Sequence, residues 1–155
     1  MFPLKKILCP LDFSDFSVRA LKTAVELADK FNAKIILCHI VTDIPTMDTA
    51  YDAIDYQPQL QNIQAFIQEM QTVSNNQLDE LARKYVKSVP YEKKVATGMP
   101  ADEIIRIAEE EKVDLIVLTT HGRTGLSRIF MGSVAEGVTR HAPCPVLSIR
   151  IKDEK

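Results

Sequence analysis

Short apolar runs alternate with amphipathic segments along most of the chain, and this alternation restricts the fold more than any other feature. The clearest runs are KKILCPLDF, KIILCHIV, VDLIVLTT and PVLSIRI, and YEKKVAT is a weaker one. Consecutive apolar residues are typical of strands that are buried on both faces. Because strands that alternate with helices form a parallel sheet with right-handed crossovers, we expect an α/β fold. Its core is an open, Rossmann-like, five-stranded parallel sheet with helices on both faces.

The segments between the runs have the periodicity and the end signals of helices. Ser14 can cap a first helix that ends at Asn32, and Pro100 is expected in the first turn of a third. A short last helix is predicted from about Ser133 to His141. A long second helix is predicted from Leu60. Its apolar stripe is expected to face the core and consists of Ile63, Ile67, Met70, Leu78, Leu81 and Tyr85.

Length and charge limit the number of domains and the classes of partner. With 155 residues, 46% of them hydrophobic, we expect one domain over residues 1–155. Lys and Arg number 19 against 21 Asp and Glu, a balance that favours neither nucleic acid nor an anionic membrane as a partner. No apolar run approaches the roughly 20 residues that span a bilayer, and the start lacks a signal-peptide pattern. We therefore expect a cytoplasmic protein without a membrane span.

A ligand site is predicted where the strand order of such a sheet reverses, beyond the carboxyl ends of the strands. The first and fourth strands adjoin that point, and they end in PLDFS and TTHGRTG. Glycines let the backbone approach a ligand, and a helix N-terminus attracts a phosphate. Gly122 follows the fourth strand, and Gly132 and Ser133 open the last helix. With Arg123 and Arg128 nearby, this stretch is predicted to hold a phosphate chain.

The motif spacing weighs against several other nucleotide-binding classes. A Walker A loop is excluded because GxxxxGK[ST] is absent and no Lys lies in the stretch. The turn PLDFSDFS contains no glycine, which argues against a Rossmann fingerprint and against the SGGxDS turn of ATP pyrophosphatases. A receiver domain is disfavoured because Cys9, Pro10 and Leu11 stand where adjacent acids would be needed.

One family resemblance covers nearly the whole chain. TTHGRTGLSRIFMGSVAEGVTRHAPCPVLSIR resembles the C-terminal signature of the universal stress protein family, and KKILCPLDFS, LCHIV and TGMPADEI extend the similarity. The resemblance implies the adenine nucleotide alpha hydrolase-like fold. The ATP-binding branch of the family carries G-x2-G-x9-G-[ST], which Gly122, Gly132 and Ser133 match. Thr119 stands in the place of the first glycine.

The resemblance also implies a ligand, ATP or AMP, with or without Mg²⁺, and a set of site residues. By that resemblance Asp12 would contact the ribose, Pro10 would shape the adenine pocket, and Ile40 and Leu118 would contact the base. The residues implied at or beside the phosphates lie in the glycine motif and at the start of the last helix, and they are Thr119, His121, Gly122, Arg123, Gly132, Ser133 and Val134.

Structural roles remain open for some of these side chains. Asp12 can help to cap the first helix instead of binding a ligand, His121 can make a hydrogen bond within its loop, and Arg123 can belong to a solvated face. Two further histidines are interpreted structurally. His39 is expected to be a satisfied core residue, and His141 is expected at a helix C-terminus.

Two functions fit these observations. The first is an adenine-nucleotide-binding regulator or sensor in a stress response, and the second is an interaction or scaffold protein that has lost the nucleotide. In either case the resemblance implies a homodimer that pairs through the last strand, about residues 145–151. We expect no enzymatic activity beyond slow ATP hydrolysis, because no Ser-His-Asp set or carboxylate pair is evident and Cys144 has no evident base partner.

Overall fold

The computed structural model describes residues 3–42, 57–121 and 131–150. Strands and helices follow one another in the order expected from the sequence. Their bounds are β1 Lys6–Pro10, α1 Asp15–Phe31, β2 Lys34–Val41, α2 Gln57–Tyr85, β3 Tyr91–Thr97, α3 Pro100–Glu111, β4 Leu115–Thr119, α4 Ser133–His141 and β5 Val146–Ile149.

The strands form one parallel sheet in the order β3-β2-β1-β4-β5, which confirms the predicted fold class. The chain leaves β1 toward one edge, then returns to add β4 and β5 on the other side. The order therefore reverses between β1 and β4. None of the helices within the described residues is long and apolar enough to cross a membrane.

The core consists of two layers, one on each face of the sheet. Ile7 and Cys9 of β1 point into a cluster with α1 and α2, whereas Leu8 between them points into a cluster with α3 and α4. Successive side chains of a strand alternate between faces. All three are fully buried, so an unbroken apolar run is the pattern that β1 needs.

Helix α1 begins and ends at the residues that the sequence predicted. The Ser14 side chain accepts a hydrogen bond from the Ser17 backbone N–H at 3.2 Å, and Asn32 closes the helix in the left-handed region. Alanines along its inner face have no exposed surface, which lets the helix lie close to the sheet. These are Ala20, Ala24 and Ala28.

Helix α2 differs from the prediction in its first half. It begins at Gln57, and its fully buried residues begin only at Ser74 and Leu78. The expectation that Ile63, Ile67 and Met70 lie in the core was wrong, because they are only partly buried. The neighbouring Phe66 and Val73 are 37% and 43% exposed.

The reason lies in the length of the sheet. The Gln71 side-chain amide donates to the hydroxyl of Thr97, the last residue of β3, at 3.1 Å. The turns of α2 that precede Gln71 therefore extend past the carboxyl end of β3. An apolar stripe there meets no strand to pack against.

Helices α3 and α4 approach each other closely at Gly137. A Cβ atom added to Gly137 would lie 2.9 Å from the Cβ of Ala101. Both atoms would be fixed directly to helix backbones, so neither could rotate away. The first turn of α3 can contact α4 at this distance because position 137 has no side chain.

We predict that Gly137→Ala lowers the free energy of unfolding. Overpacking should cost roughly 1–3 kcal/mol, and about 1 kcal/mol of better helix propensity should offset part of it. The net loss should be up to about 2 kcal/mol, which urea denaturation can measure.

The matched control moves the methyl group across the contact. Gly137→Ala combined with Ala101→Gly removes the clash, so the double variant should be more stable than the two single effects would give if added. A Gly137→Ala protein as stable as the wild type would show that α3 and α4 separate without strain.

Candidate functional site

A cleft of about 290 Å³ opens at the carboxyl ends of β1, β2 and β4. It lies where the strand order reverses between β1 and β4. Ligands of open α/β sheets bind at such a point, because the connections on its two sides run to opposite faces of the sheet and leave a crevice.

The residues predicted for the site come from four separate stretches of the described chain, and they lie together along this one cleft. Every predicted residue that the structure describes is among them. They are Pro10, Asp12, Ile40, Leu118, Thr119, His121, Gly132, Ser133 and Val134. Gly122 and Arg123, and also Arg128, lie outside the described residues.

Sequence reasoning missed other residues that line the cleft. Most of them adjoin predicted residues on the same strand end, turn or helix, and two, Pro100 and Ile104, belong to α3. The full set is Leu11, Ser17, Cys38, His39, Thr42, Pro100, Ile104, Thr120 and Ala135. Pro100 carried a signal that could have been used, because a helix that follows a parallel strand must begin at the carboxyl edge of the sheet.

The turn between β1 and α1 is held by hydrogen bonds among its own residues. The Asp12 Oδ1 atom accepts from the Ser14 backbone N–H at 3.0 Å and from the Ser14 hydroxyl. Ser14 in turn caps α1. Asp12 thus supports the helix cap and also lines the cleft, and since a carboxylate has about four acceptor positions, the two bonds from Ser14 do not saturate it.

Phe13 in the same turn has an unusual backbone conformation. Its φ is 65°, in the left-handed region, which costs an L-residue about 1–2 kcal/mol. Its ring lies 4.4 Å from the ring of His39, centroid to centroid. The turn is therefore strained locally and packed against β2.

Main-chain and side-chain hydrogen bonds hold the residues at and after the end of β4 in place. The Gly132 N–H donates to the Thr120 carbonyl at 2.7 Å, and the Thr120 N–H donates to the Ile149 carbonyl at 3.2 Å. The Thr119 hydroxyl donates to the His121 carbonyl at 2.7 Å. The start of α4 is consequently held next to the end of β4.

The N-terminus of α4 faces the cleft without a side-chain cap. The N-cap residue is Gly132, which has no side chain that could cap the helix. Ser133 and Val134 follow it along the cleft wall. The first N–H groups of a helix carry a positive partial charge and attract anions. The acidic Glu136 in this turn is paired with Arg140 at 2.8 Å, so its charge is partly balanced.

The three histidines have distinct surroundings. His39 is buried and bonded to the Leu11 carbonyl, which confirms the expected satisfied core histidine. His141 is the last residue of α4, as predicted, with Nδ1 at 3.1 Å from the Gly137 carbonyl oxygen. The His121 Nδ1 lies 3.0 Å from the Thr120 hydroxyl, so this side chain combines a hydrogen bond within its loop with a position on the cleft wall.

The cysteine thiols are poor nucleophiles in these surroundings. Burial raises the pKa of Cys9 to about 12 and raises the pKa of Cys38, which lines the cleft, further still. Burial also raises the pKa of Cys144, and the charge of Asp114 adds to that effect. Since the thiolate is the reactive form, the described residues offer no activated thiol. Nor do they contain a group of His, Cys, Asp and Glu side chains that could hold a metal ion.

Comparisons with known proteins all indicate the same protein family. The sequence model described as universal stress protein family matches residues 3–150. Universal stress protein MJ0531 of Methanocaldococcus jannaschii is 34% identical over 146 residues, which cover 94% of this chain and 82% of that protein.

Solved structures agree with the fold. The structure of protein MJ0577 from the same organism is 25% identical, with a TM-score of 0.78, and the match covers 98% of this chain and 99% of that one. A universal stress protein solved in complex with cAMP is 24% identical, with a TM-score of 0.62, over 96% of this chain and 98% of that one. The second likeness concerns the fold alone.

The β1–α1 turn can be tested by removing its capping hydroxyl. Ser14→Ala loses the hydrogen bond to Ser17 and the bond to Asp12, and it should lower the free energy of unfolding by about 1 kcal/mol or more. Thermal unfolding would measure this, since 1 kcal/mol corresponds to roughly 2–4 °C for a chain of this size.

Two further variants serve as controls for the cap. Ser14→Thr keeps a hydroxyl and should unfold close to the wild type. Ser133→Ala changes the first residue of α4, which is not its cap, and should have a small effect. If Ser14→Ala and Ser133→Ala shifted the transition equally, the Ser14 cap would contribute nothing specific.

Proposed function

This chain belongs to the universal stress protein family, and we propose that its cleft binds an adenine nucleotide, ATP or AMP, so that occupancy regulates a response to stress. One observation carries the proposal. Segments around Pro10, Ile40 and Thr119, which are far apart in sequence, converge on a single cleft together with Gly132 at the start of α4. A universal stress protein with the same fold has been solved with cAMP, so the fold accommodates an adenine nucleotide.

The chemistry of the cleft wall suits the parts of a nucleotide. Ile40 and Leu118 are buried apolar residues of β2 and β4, the strands on either side of β1, and they offer a base a nonpolar surface. The Asp12 carboxylate is an acceptor for ribose hydroxyl groups. The uncapped N-terminus of α4, with Gly132 and Ser133, is the place for a phosphate.

Magnesium, in this proposal, would arrive with the nucleotide. Mg²⁺ in nucleotide sites is held largely by substrate phosphates and water. A dedicated set of protein ligands is therefore not required. The described residues contain no cluster of three or more His, Cys, Asp and Glu side chains that could hold a metal ion, so in this proposal the ion depends on the phosphates.

We infer a regulatory binding protein in preference to an enzyme. The thiols of the described residues have raised pKa values, and no Walker-type lysine lies near the start of α4 in the sequence. Because no such lysine would stabilise the phosphoryl group in transfer to water, ATP bound here would be hydrolysed slowly. The protein would act by changing its contacts when nucleotide enters or leaves.

One observation favours a second function, that of an interaction or scaffold protein without nucleotide. Thr119 lines the cleft at a position where the ATP-binding branch of the family has glycine. A β-branched side chain occupies space that glycine would leave to a ligand, and its χ1 angle is restricted.

For either function we propose a homodimer that pairs through the last strand, about residues 145–151. Strand β5 is hydrogen-bonded only to β4 within the described sheet and forms one of its edges. Leu147 on this strand is 37% exposed. An edge strand with an exposed apolar side chain can pair with the same strand of a second copy about a two-fold axis.

Nucleotide binding is tested first on the purified wild-type protein. Heat release followed by chromatography should show adenine nucleotide, and titration calorimetry with ATP and AMP should give binding below millimolar concentration. If no adenine nucleotide co-purifies and none binds at millimolar concentration, the scaffold function replaces the proposed one.

The phosphate position is tested with Gly132→Leu. Because the φ of Gly132 is −58°, a side chain is tolerated by the backbone, but it would obstruct the N-terminus of α4. We expect at least a tenfold loss of affinity, about 1.4 kcal/mol, with an unchanged circular dichroism spectrum. Val134→Ala, which trims a neighbouring side chain, is the matched control and should lose less; equal losses would remove the phosphate assignment.

The dimer is tested with Leu147→Glu. Two carboxylates brought together across a two-fold axis repel, so this variant should sediment as a monomer at concentrations where the wild type is dimeric. Phe31→Glu changes a residue at the end of α1 that is 51% exposed and should leave the mass unchanged. A Leu147→Glu protein that stays dimeric would move the interface elsewhere.

A further inference from the structure

We propose that His39 is a positioning residue of the cleft, which holds the turn after β1 so that Asp12 faces the ribose of a bound nucleotide. This inference rests on the proposed function and names the residue that sets its ribose contact. His39 lies in β2, on the strand next to β1. It is 7% exposed and lines the cleft.

The first contact of His39 fixes the residue before Asp12. Its Nδ1 lies 2.6 Å from the Leu11 carbonyl oxygen. A carbonyl oxygen can only accept a hydrogen bond, so Nδ1 carries the hydrogen and donates it. On the other side of Leu11, its N–H donates to the Cys38 carbonyl at 2.7 Å.

These two bonds extend the pairing of β1 with β2 beyond the end of the strand. Strand β1 ends at Pro10, yet both main-chain polar groups of Leu11 are bonded to β2 residues. The second bond comes from a side chain. An apolar residue at position 39 would leave the Leu11 carbonyl without this buried partner.

The second contact of His39 fixes the residue after Asp12. The Phe13 ring packs on the imidazole with a centroid distance of 4.4 Å and an interplanar angle of 33°. Phe13 has a φ of 65°, a conformation that persists only where the surroundings enforce it. The imidazole is part of those surroundings.

Asp12 therefore lies between two residues that one imidazole holds. Its Oδ1 is further oriented by the Ser14 N–H at 3.0 Å, so the direction of the carboxylate depends on the backbone angles of the turn. If His39 were lost, Phe13 could relax to a negative φ and Asp12 would turn away. The base contacts of Ile40 and Leu118, on β2 and β4, and the phosphate contacts at α4 would remain.

This mechanism gives a signature that a purely structural histidine does not. A core residue that only stabilises the fold would lower the melting temperature and change the affinity for every ligand alike. A residue that contacts the base directly would also affect every adenine ligand alike. A residue that acts through Asp12 changes only the part of the affinity that the ribose hydroxyl groups provide.

The test compares AMP with 2′,3′-dideoxy-AMP, which lacks both ribose hydroxyl groups, by titration calorimetry. The wild type should prefer AMP. His39→Leu should weaken AMP binding about tenfold, because a hydrogen bond to a charged group contributes roughly that much. It should leave dideoxy-AMP binding within about twofold, so that the preference disappears.

Three further variants separate the two contacts and link them to Asp12. His39→Asn keeps an N–H donor near the position of Nδ1 and should recover much of the preference. His39→Phe keeps only the ring contact with Phe13 and should recover less. Asp12→Ala should abolish the preference, and adding His39→Leu to it should cause no further change.

The outcomes distinguish this inference from the function on which it rests. If the wild type binds neither AMP nor dideoxy-AMP, both the proposed nucleotide-binding function and the positioning role of His39 are wrong. A wild type that binds AMP, together with His39 variants that keep its preference for AMP or weaken both nucleotides equally, overturns the positioning role alone. Thermal unfolding would reveal whether His39→Leu fails to fold. In that case the ratio of the affinities for AMP and dideoxy-AMP is measured on His39→Asn and His39→Phe instead.

Discussion

The burial of β1 on both faces and both edges determines where every other element lies. This strand has neighbours on each side, β2 and β4, and its side chains enter both core layers. The connections from its neighbours must then leave in opposite directions. The cleft is a direct result, because no element among the described residues fills the space where those connections separate. A site at the end of β1 is thus built into the topology before any functional side chain is considered.

The same constraint explains the distribution of charge around the cleft. Helices that connect parallel strands begin at the carboxyl edge, so the N-termini of α1, α3 and α4 lie there. The first turn of α1 is capped by Ser14 and contains Asp15, and α3 begins with a proline and carries Asp102 and Glu103. Only α4, among these three, combines a glycine N-cap without a side-chain bond with the glycine motif. The proposed function accordingly assigns the anion to α4 and a hydroxyl-bearing group to Asp12.

The sequence predicted those features that depend on local chemistry. The ends of α1 and the start of α3 follow from Ser14, Asn32 and Pro100, whose preferences act over a few residues. The apolar stripe of α2 was assigned to the core incorrectly, since periodicity gives the inward face of a helix but not the length of the sheet beneath it. The role of His39 could not be predicted from local patterns, because its bond to Leu11 depends on the register of β1 and β2 and on the φ of Phe13. Neither quantity is encoded in a local pattern.

Thr119 has two opposing effects on the proposed site. Its hydroxyl donates to the carbonyl of His121 two residues later, and this bond stabilises a turn that a glycine would leave freer. A preformed turn reduces the conformational entropy lost when a ligand binds. The same bond, however, restricts χ1, so the side chain cannot change its position on the cleft wall without breaking it. The first effect supports nucleotide binding and the second supports the scaffold function. Both effects arise from one side chain in one rotamer. They can be separated only by replacing Thr119 with serine, which keeps the hydroxyl without the methyl, or with valine, which has methyl groups and no hydroxyl.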